Sequence, residues 1–233
     1  MNRYVYGSIP KAASTYVINK LSQGAGLQIQ YGDGGPGYLD YSQVPEGSVV
    51  KTHSTPDQLI DDLKILGVDK VVYTIREPRQ MALSALHFIS YKMSIGAHEK
   101  KWQEDGIPMN FHELSIDEKV PIVFDFYLKP WIYQMDEWLN FDSPEISCQI
   151  MRFEDFQKDP ISFFKELVSF YGIKSFDYGV LNEPIRNDKK DDKVVKYNFR
   201  KGSTDEFMAV LTPEQNKRYY SYYTSSLKNF YFV

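Results

Sequence analysis

The chain has 233 residues, 42% of them hydrophobic and 25% charged, with a formal net charge of −4. That size suits one soluble α/β domain, and the acidic balance disfavours nucleic acid as a partner, so any anion site has to be local. The single cysteine, Cys148, leaves no intrachain disulfide, and no apolar run approaches the length of a membrane span or a classical signal, so a cytoplasmic protein without membrane partners is expected.

In chain order, Tyr4-Val5-Tyr6 is a strand of β-formers, followed by a turn from Gly7 to Pro10 and a helix that opens on Ser14 and Thr15 and continues through Tyr16-Val17-Ile18-Asn19-Lys20-Leu21. A strand, a tight loop carrying Lys11 and a helix opening on hydroxyls make an anion cradle, because the first helix amides lack backbone partners and carry partial positive charge. The nucleotide-kinase loop G-x-x-x-x-G-K-[ST] is approached through Gly7 and Lys11, but Ala13 stands where that motif has lysine. Tyr31-Gly32-Asp33-Gly34-Gly35-Pro36-Gly37 is a loop, either a connector or a flap over a site.

Ser48 to Thr52 is a second strand, ending at His53. Thr55-Pro56-Asp57-Gln58 starts a helix with Leu59, Leu63 and Leu66 on one face, stopped by Gly67. Lys70 to Ile75 is a third strand with a near-continuous apolar run. Another helix begins at Pro78, with Met81, Ala85 and Phe88 as its buried stripe. Residues 93 to 116 read as an irregular insertion, and an aromatic-rich helix runs from Asp117 to Leu139. Ile146 to Phe153 is a fourth strand. Asp159-Pro160 starts an amphipathic helix with Ile161, Phe164, Leu167 and Tyr171 inward and Gly172 at its end. Residues 174 to 199 are charged and irregular, and Thr212-Pro213-Glu214-Gln215 opens a final tyrosine-rich helix. There is no internal repeat and no linker, so residues 1–233 read as a single domain.

Alternating strands and helices predict a central parallel β-sheet flanked by helices on both faces, with ligands at the carboxyl ends of the strands. Lys11 follows the first strand, Lys51-Thr52-His53 ends the second and Arg76 follows the third. Three strands thus bring basic groups to one edge.

Four segments together resemble the PAPS-dependent sulfotransferases (PAPS is 3′-phosphoadenosine 5′-phosphosulfate). The cytosolic members carry P-K-S-G-T-T-W, here Pro10-Lys11-Ala12-Ala13-Ser14-Thr15-Tyr16; K-[TS]-H, here Lys51-Thr52-His53; R-N-P-x-D-x-x-x-S, here Arg76-Glu77-Pro78 through Ser84; and R-K-G-x-x-G-D-W, here Arg200-Lys201-Gly202 through Phe207. Phe153-Glu154-Asp155 before the Asp159-Pro160 helix extends the likeness. The resemblance implies a P-loop NTPase-like sulfotransferase fold. It also implies that the donor's 5′ end binds at Lys11, Ser14, Thr15 and the amides of Ala12 and Ala13. The 3′-phosphate is then assigned to Arg76, Ser84, Arg200, Lys201 and the Gly202 amide, and the adenine to Tyr16. His53 is the implied general base, Lys11 and Lys51 the charges that serve the transferring group, and PAP the product. The acceptor is expected to be a hydroxylated small molecule, its pocket built by residues 31 to 44, 87 to 116 and the aromatic helix from 124 to 138. No metal is required, and His53, His87, His98 and His112 have no metal-ligand spacing. Ala13 for a loop glycine, Glu77 beside Arg76, and the missing second glycine and tryptophan of the last motif are departures. Two other readings remain: an ATP-dependent small-molecule kinase on a P-loop-like fold, and a nucleotide-binding module without catalysis.

Overall fold

A computed structural model describes residues 2–32, 39–97, 100–183 and 202–232. Among these residues five strands, β1 (Tyr4–Ser8), β2 (Gln28–Tyr31), β3 (Ser48–Thr52), β4 (Lys70–Ile75) and β5 (Ser147–Arg152), form one sheet in the order β2-β3-β1-β4-β5. Every pairing is parallel. Parallel neighbours need crossovers, and α1 (Ser14–Ala25) supplies one between β1 and β2, α2 (Pro56–Leu66) another between β3 and β4. The expected α/β architecture is present. By contact density the chain divides into two compact units, Met1–Arg76 with Glu137–Arg186, and Glu77–Asp136 with Asn187–Val233.

The first unit holds the whole sheet. Tyr6, Val49, Val72 and Met151 share one face and pack with Val17, Ile18 and Leu21 of α1 and with Phe163, Phe164, Leu167 and Tyr171 of α7 (Pro160–Tyr171). Burying each such side chain contributes roughly 1.5–3 kcal/mol. The expected stripe of α7 included Ile161, but that residue is 47% exposed. At about 100° per residue it falls a quarter-turn from the centre of the stripe, and Phe163 takes its place.

Gly7 was expected in a turn, but β1 continues through Gly7 to Ser8. A Cβ at Gly7 would stand 2.4 Å from Cδ2 of Tyr73, so the missing side chain is what lets this ring lie across β1. Tyr73 then stacks on Trp138 with centroids 4.5 Å apart. The edge strand β2 was not anticipated. Its sequence, Gln28-Ile29-Gln30-Tyr31, is short and polar, as edge strands often are. Two further pieces complete this unit: α6 (Phe153–Lys158), and a 3₁₀ turn (Tyr178–Asn182) within the stretch read as irregular. Lys20, wholly buried, donates to the carbonyls of Val180 and Glu183 at 2.7 Å each and so satisfies the end of that turn.

The second unit contains α3 (Pro78–Ser94), α4 (Lys100–Glu104), most of α5 (Ile116–Leu139), α8 (Phe207–Val210), α9 (Pro213–Tyr220) and α10 (Ser225–Phe232). The insertion from 93 to 116 therefore has structure of its own: α4 and a 3₁₀ turn at Phe111–Glu113. The final tyrosine-rich helix is two helices, the second capped by Thr224 Oγ1, which accepts from the Leu227 amide at 3.2 Å. Glu77 organises this unit. It accepts from Arg79 Nε and from the Gln80 amide, each at 2.8 Å, and from the Tyr223 hydroxyl. Arg79 also donates to Asn216 at 3.1 Å and lies 4.3 Å from the Phe207 ring centre. Among the described residues no helix is long and apolar enough to cross a membrane.

Candidate functional site

The carboxyl ends of β1, β3 and β4 are adjacent in the sheet: Gly7 pairs with Thr52, and Ser8 with Thr74. Three of the motifs read from the sequence leave the sheet here. The loop after β1 is anchored by the Ile9 amide on the Thr74 carbonyl at 3.1 Å and tightened by the Ala12 amide on the Ile9 carbonyl at 3.3 Å. Lys11 and Ala13 are the non-glycine residues with positive φ among those described, at 67° and 60°. Lys11 and Ala13, left-handed on either side of Ala12, bend the chain sharply into the N-terminus of α1. Ala13 is the N-cap of α1, and its carbonyl takes the amides of Tyr16 and Val17. The amides of Ser14 and Thr15 precede any intrahelical acceptor. The expected strand, tight loop and helix N-terminus are present, without the glycine that such a loop commonly carries.

At the end of β3, His53 Nδ1 lies 2.5 Å from the Ser8 carbonyl oxygen and 3.3 Å from Ser8 Oγ. Its Nε2 lies 2.9 Å from Lys51 Nζ. A carbonyl only accepts and an ammonium only donates, so Nδ1 carries the proton and Nε2 is the basic atom. The ring is held in the tautomer a general base requires. Lys51 Nζ is also 5.9 Å from the centre of the half-exposed Tyr31 ring, at the end of β2.

Arg76, at the end of β4, is 6% exposed. Its guanidinium carbon sits 4.1 Å from the centre of the Phe153 ring, and Nη1 donates to the Lys11 carbonyl at 2.8 Å. The Lys11 ammonium is held down to about 8 by burial first, then by the charges of Arg76 and Lys51. Three cations close enough to oppose one another make a site that an anion relieves.

Tyr16 is partly buried. Its ring packs 5.1 Å from Phe156, Lys20 lies 5.7 Å from its centre, and its hydroxyl donates to the Leu181 carbonyl at 3.4 Å. Ser84 is half-buried on α3, and Gly202 has φ 64°; both belong to the second unit. Arg200 and Lys201 lie outside the described residues, as do His98 and residues 33–38 of the glycine-rich loop. Ser8 joins these residues without a role having been expected for it, Phe153 was quoted only as part of the family likeness, and Tyr31 opens the segment expected to build the acceptor pocket. The signal for Ser8 is its place one residue past the Gly7–Thr52 pair, visible only once the strand pairing is known. A separate cavity of about 510 Å³, lined by Arg3, Tyr4, Glu46, Lys64 and Lys70 among others, contains none of the candidate residues. No group of three or more His, Cys, Asp or Glu able to hold a metal ion occurs among the described residues.

Comparison with known proteins gives the family and the fold. A family model described as Sulfotransferase domain matches residues 12–231, through both units. The structure is similar to mouse sulfotransferase SULT7A1 complexed with PAP, with a TM-score of 0.65 and 18% identity, covering 98% of this chain and 84% of that one. It is also similar to the sulfotransferase domain from the curacin biosynthetic pathway, with a TM-score of 0.55, 12% identity and coverage of 95% and 97%. A third similar structure is a sulfotransferase from Alicyclobacillus acidocaldarius, with a TM-score of 0.50, 12% identity and coverage of 99% and 96%. At these identities the likeness is one of fold. No curated protein matches the chain significantly in sequence.

Proposed function

Because the chain belongs to the sulfotransferase domain family, we propose that it transfers the sulfuryl group of PAPS to a hydroxyl of a small-molecule acceptor. The donor is carried over from the PAP bound in the mouse neighbour and from the four motifs. The observation that carries the reading is the Lys51–His53–Ser8 arrangement, with Nδ1 on the Ser8 carbonyl and Nε2 beside Lys51 at the strand ends.

In this reading the acceptor oxygen attacks sulfur in line. An O–S bond forms to the acceptor, the S–O bond to the 5′-phosphate breaks, and the acceptor proton goes to His53 Nε2. For that hydrogen bond to form, Lys51 gives up its position on Nε2 and donates instead to the sulfuryl oxygens. Lys11, with the amides of Ala13 to Thr15, neutralises charge on the departing phosphate, while the Ala12 amide the motif also offered is held by the Ile9 carbonyl. Arg76, Ser84, Arg200, Lys201 and Gly202 bind the 3′-phosphate, and Tyr16 contacts the adenine. Residues 1–233 act as one sulfotransferase domain, in the cytoplasm.

The test is a thermal-shift comparison of PAP, ADP and ATP. PAP alone has a 3′-phosphate as well as the 5′-phosphate, and at about 100 times its Kd a ligand adds roughly 2.7 kcal/mol of stability. A larger shift with PAP than with ADP is expected. Equal shifts would remove the PAPS reading and favour the kinase. Transfer of ³⁵S from PAPS to a panel of phenols, alcohols and glycosides then identifies the acceptor.

A further inference from the structure

We infer that Arg76 is a positioning residue for the 5′ loop, holding Lys11 and Ala13 in their left-handed backbone conformations by clamping the Lys11 carbonyl from the end of β4. The inference rests on the reading of this loop as the donor's 5′ site, and it adds to the contact with the 3′-phosphate that the motif alone assigns to this arginine.

Two successive contacts tie the loop to β4. The Ile9 amide bonds to the Thr74 carbonyl at 3.1 Å. Two residues further along each segment, Arg76 Nη1 donates to the Lys11 carbonyl at 2.8 Å. Between and just beyond these anchors lie Lys11 at φ 67° and Ala13 at φ 60°. L residues rarely adopt such angles, and they persist only where the surroundings hold them. No glycine lies between Gly7 and Gly24 to make the loop permissive. The clamp itself is rigid: the guanidinium lies 4.1 Å from the Phe153 ring centre and the residue is almost wholly buried. A planar guanidinium can lie on a ring and donate in its own plane at the same time, which an ammonium on a flexible stem does not reproduce. The same side chain opposes the Lys11 charge. The groups acting on that ammonium are Arg76 at the end of β4 and Lys51 on β3, in addition to burial.

Arg76→Gln removes clamp and charge; Arg76→Lys removes the clamp and keeps the charge. Hydrogen exchange of the free protein, followed over residues 9–16, needs no nucleotide. At least tenfold faster exchange is expected in both variants. Titration of the Lys11 amine by NMR should move above about 8 in Arg76→Gln and much less in Arg76→Lys. Both variants should also bind adenosine 5′-phosphosulfate at least tenfold more weakly, although that nucleotide has no 3′-phosphate. Unchanged exchange over residues 9–16 overturns the inference, as does unchanged affinity for adenosine 5′-phosphosulfate with loss confined to PAP. If Arg76→Gln does not fold, Arg76→Lys alone decides through exchange. A wild-type protein that binds neither nucleotide removes the donor reading, and the exchange experiment still accepts or rejects the clamp.

Discussion

Lys51 Nζ stands 2.9 Å from Nε2 of His53, on the ring edge opposite the one that meets the Ser8 carbonyl. The imidazole is therefore oriented from both sides, by a main-chain acceptor and a side-chain donor. His53→Ala is expected to lower turnover by roughly 10²–10⁴, the usual contribution of a general base, while PAP affinity stays within a few-fold. Steady-state rates and calorimetric titration measure the two quantities. Near-wild-type turnover would assign the base elsewhere.

Lys11 provides a pH signature. Burial, Arg76 and Lys51 lower its ammonium from 10.5 to about 8. Between those values the unfolded chain binds a proton that the folded chain does not, so this group's contribution makes stability rise with pH across that window. Below about pH 8 both states are protonated and the cost of the buried charge is present in full. Function runs the other way, because the neutral amine cannot oppose phosphate. The ratio kcat/KM, which follows the free enzyme, should fall as pH rises through about 8, and PAP binding above that pH should take up a proton. Calorimetry in buffers of different ionisation enthalpy counts that proton.

Ala13 occupies a left-handed conformation at φ 60°. Relieving that strain with glycine is expected to stabilise the fold by about 1 kcal/mol, net of the added freedom of the unfolded chain. For a chain of this size the melting temperature should rise by roughly 2–4 °C. A thermal melt of Ala13→Gly that comes out lower than wild type would mean the loop is better served by the rigid residue.

Glu77 and Arg79 form a buried pair, 6% and 9% exposed, with Nε 2.8 Å from Oε1. Glu77→Ala strands the guanidinium and should cost about 3–5 kcal/mol. Replacing both residues with apolar side chains of similar volume should recover much of that loss. Urea unfolding of the single and double variants checks both statements. The same geometry resolves the departure at this position: the carboxylate that follows Arg76 in sequence is engaged by Arg79, Tyr223 and the Gln80 amide.

The β3 and β4 strands were legible because each is an apolar run bounded by turn residues, and the caps at Thr55 and Thr212 because a capping box is written in four consecutive letters. Strand β2 was not, since two glutamines interrupt its pattern and its partner alone defines it. Lys11, Lys51, His53 and Arg76 were found by their places at strand ends. What sequence could not supply was the third dimension of each contact. The Ser8 carbonyl reaches His53 through a main-chain atom that any residue would carry. The Phe153 ring beneath Arg76 comes from the residue after β5, far along the chain. The motif names Arg76 but carries no sign of the Lys11 carbonyl that its Nη1 meets.

Strand β5 has a consequence for how the protein is made. It pairs with β4 along its whole length, from Lys70 against Ser147 to Ile75 against Arg152, yet residues 76 to 146 lie between them. At about 5–20 residues per second, a ribosome that has released β4 needs on the order of 4–14 s more before β5 follows. During that interval one edge of Lys70-Val71-Val72-Tyr73-Thr74-Ile75 has no strand to bond to, and such an edge can template association with another chain. Slowing translation within residues 76 to 146 should therefore lower the yield of active protein, while the same pause placed after Arg152 should not.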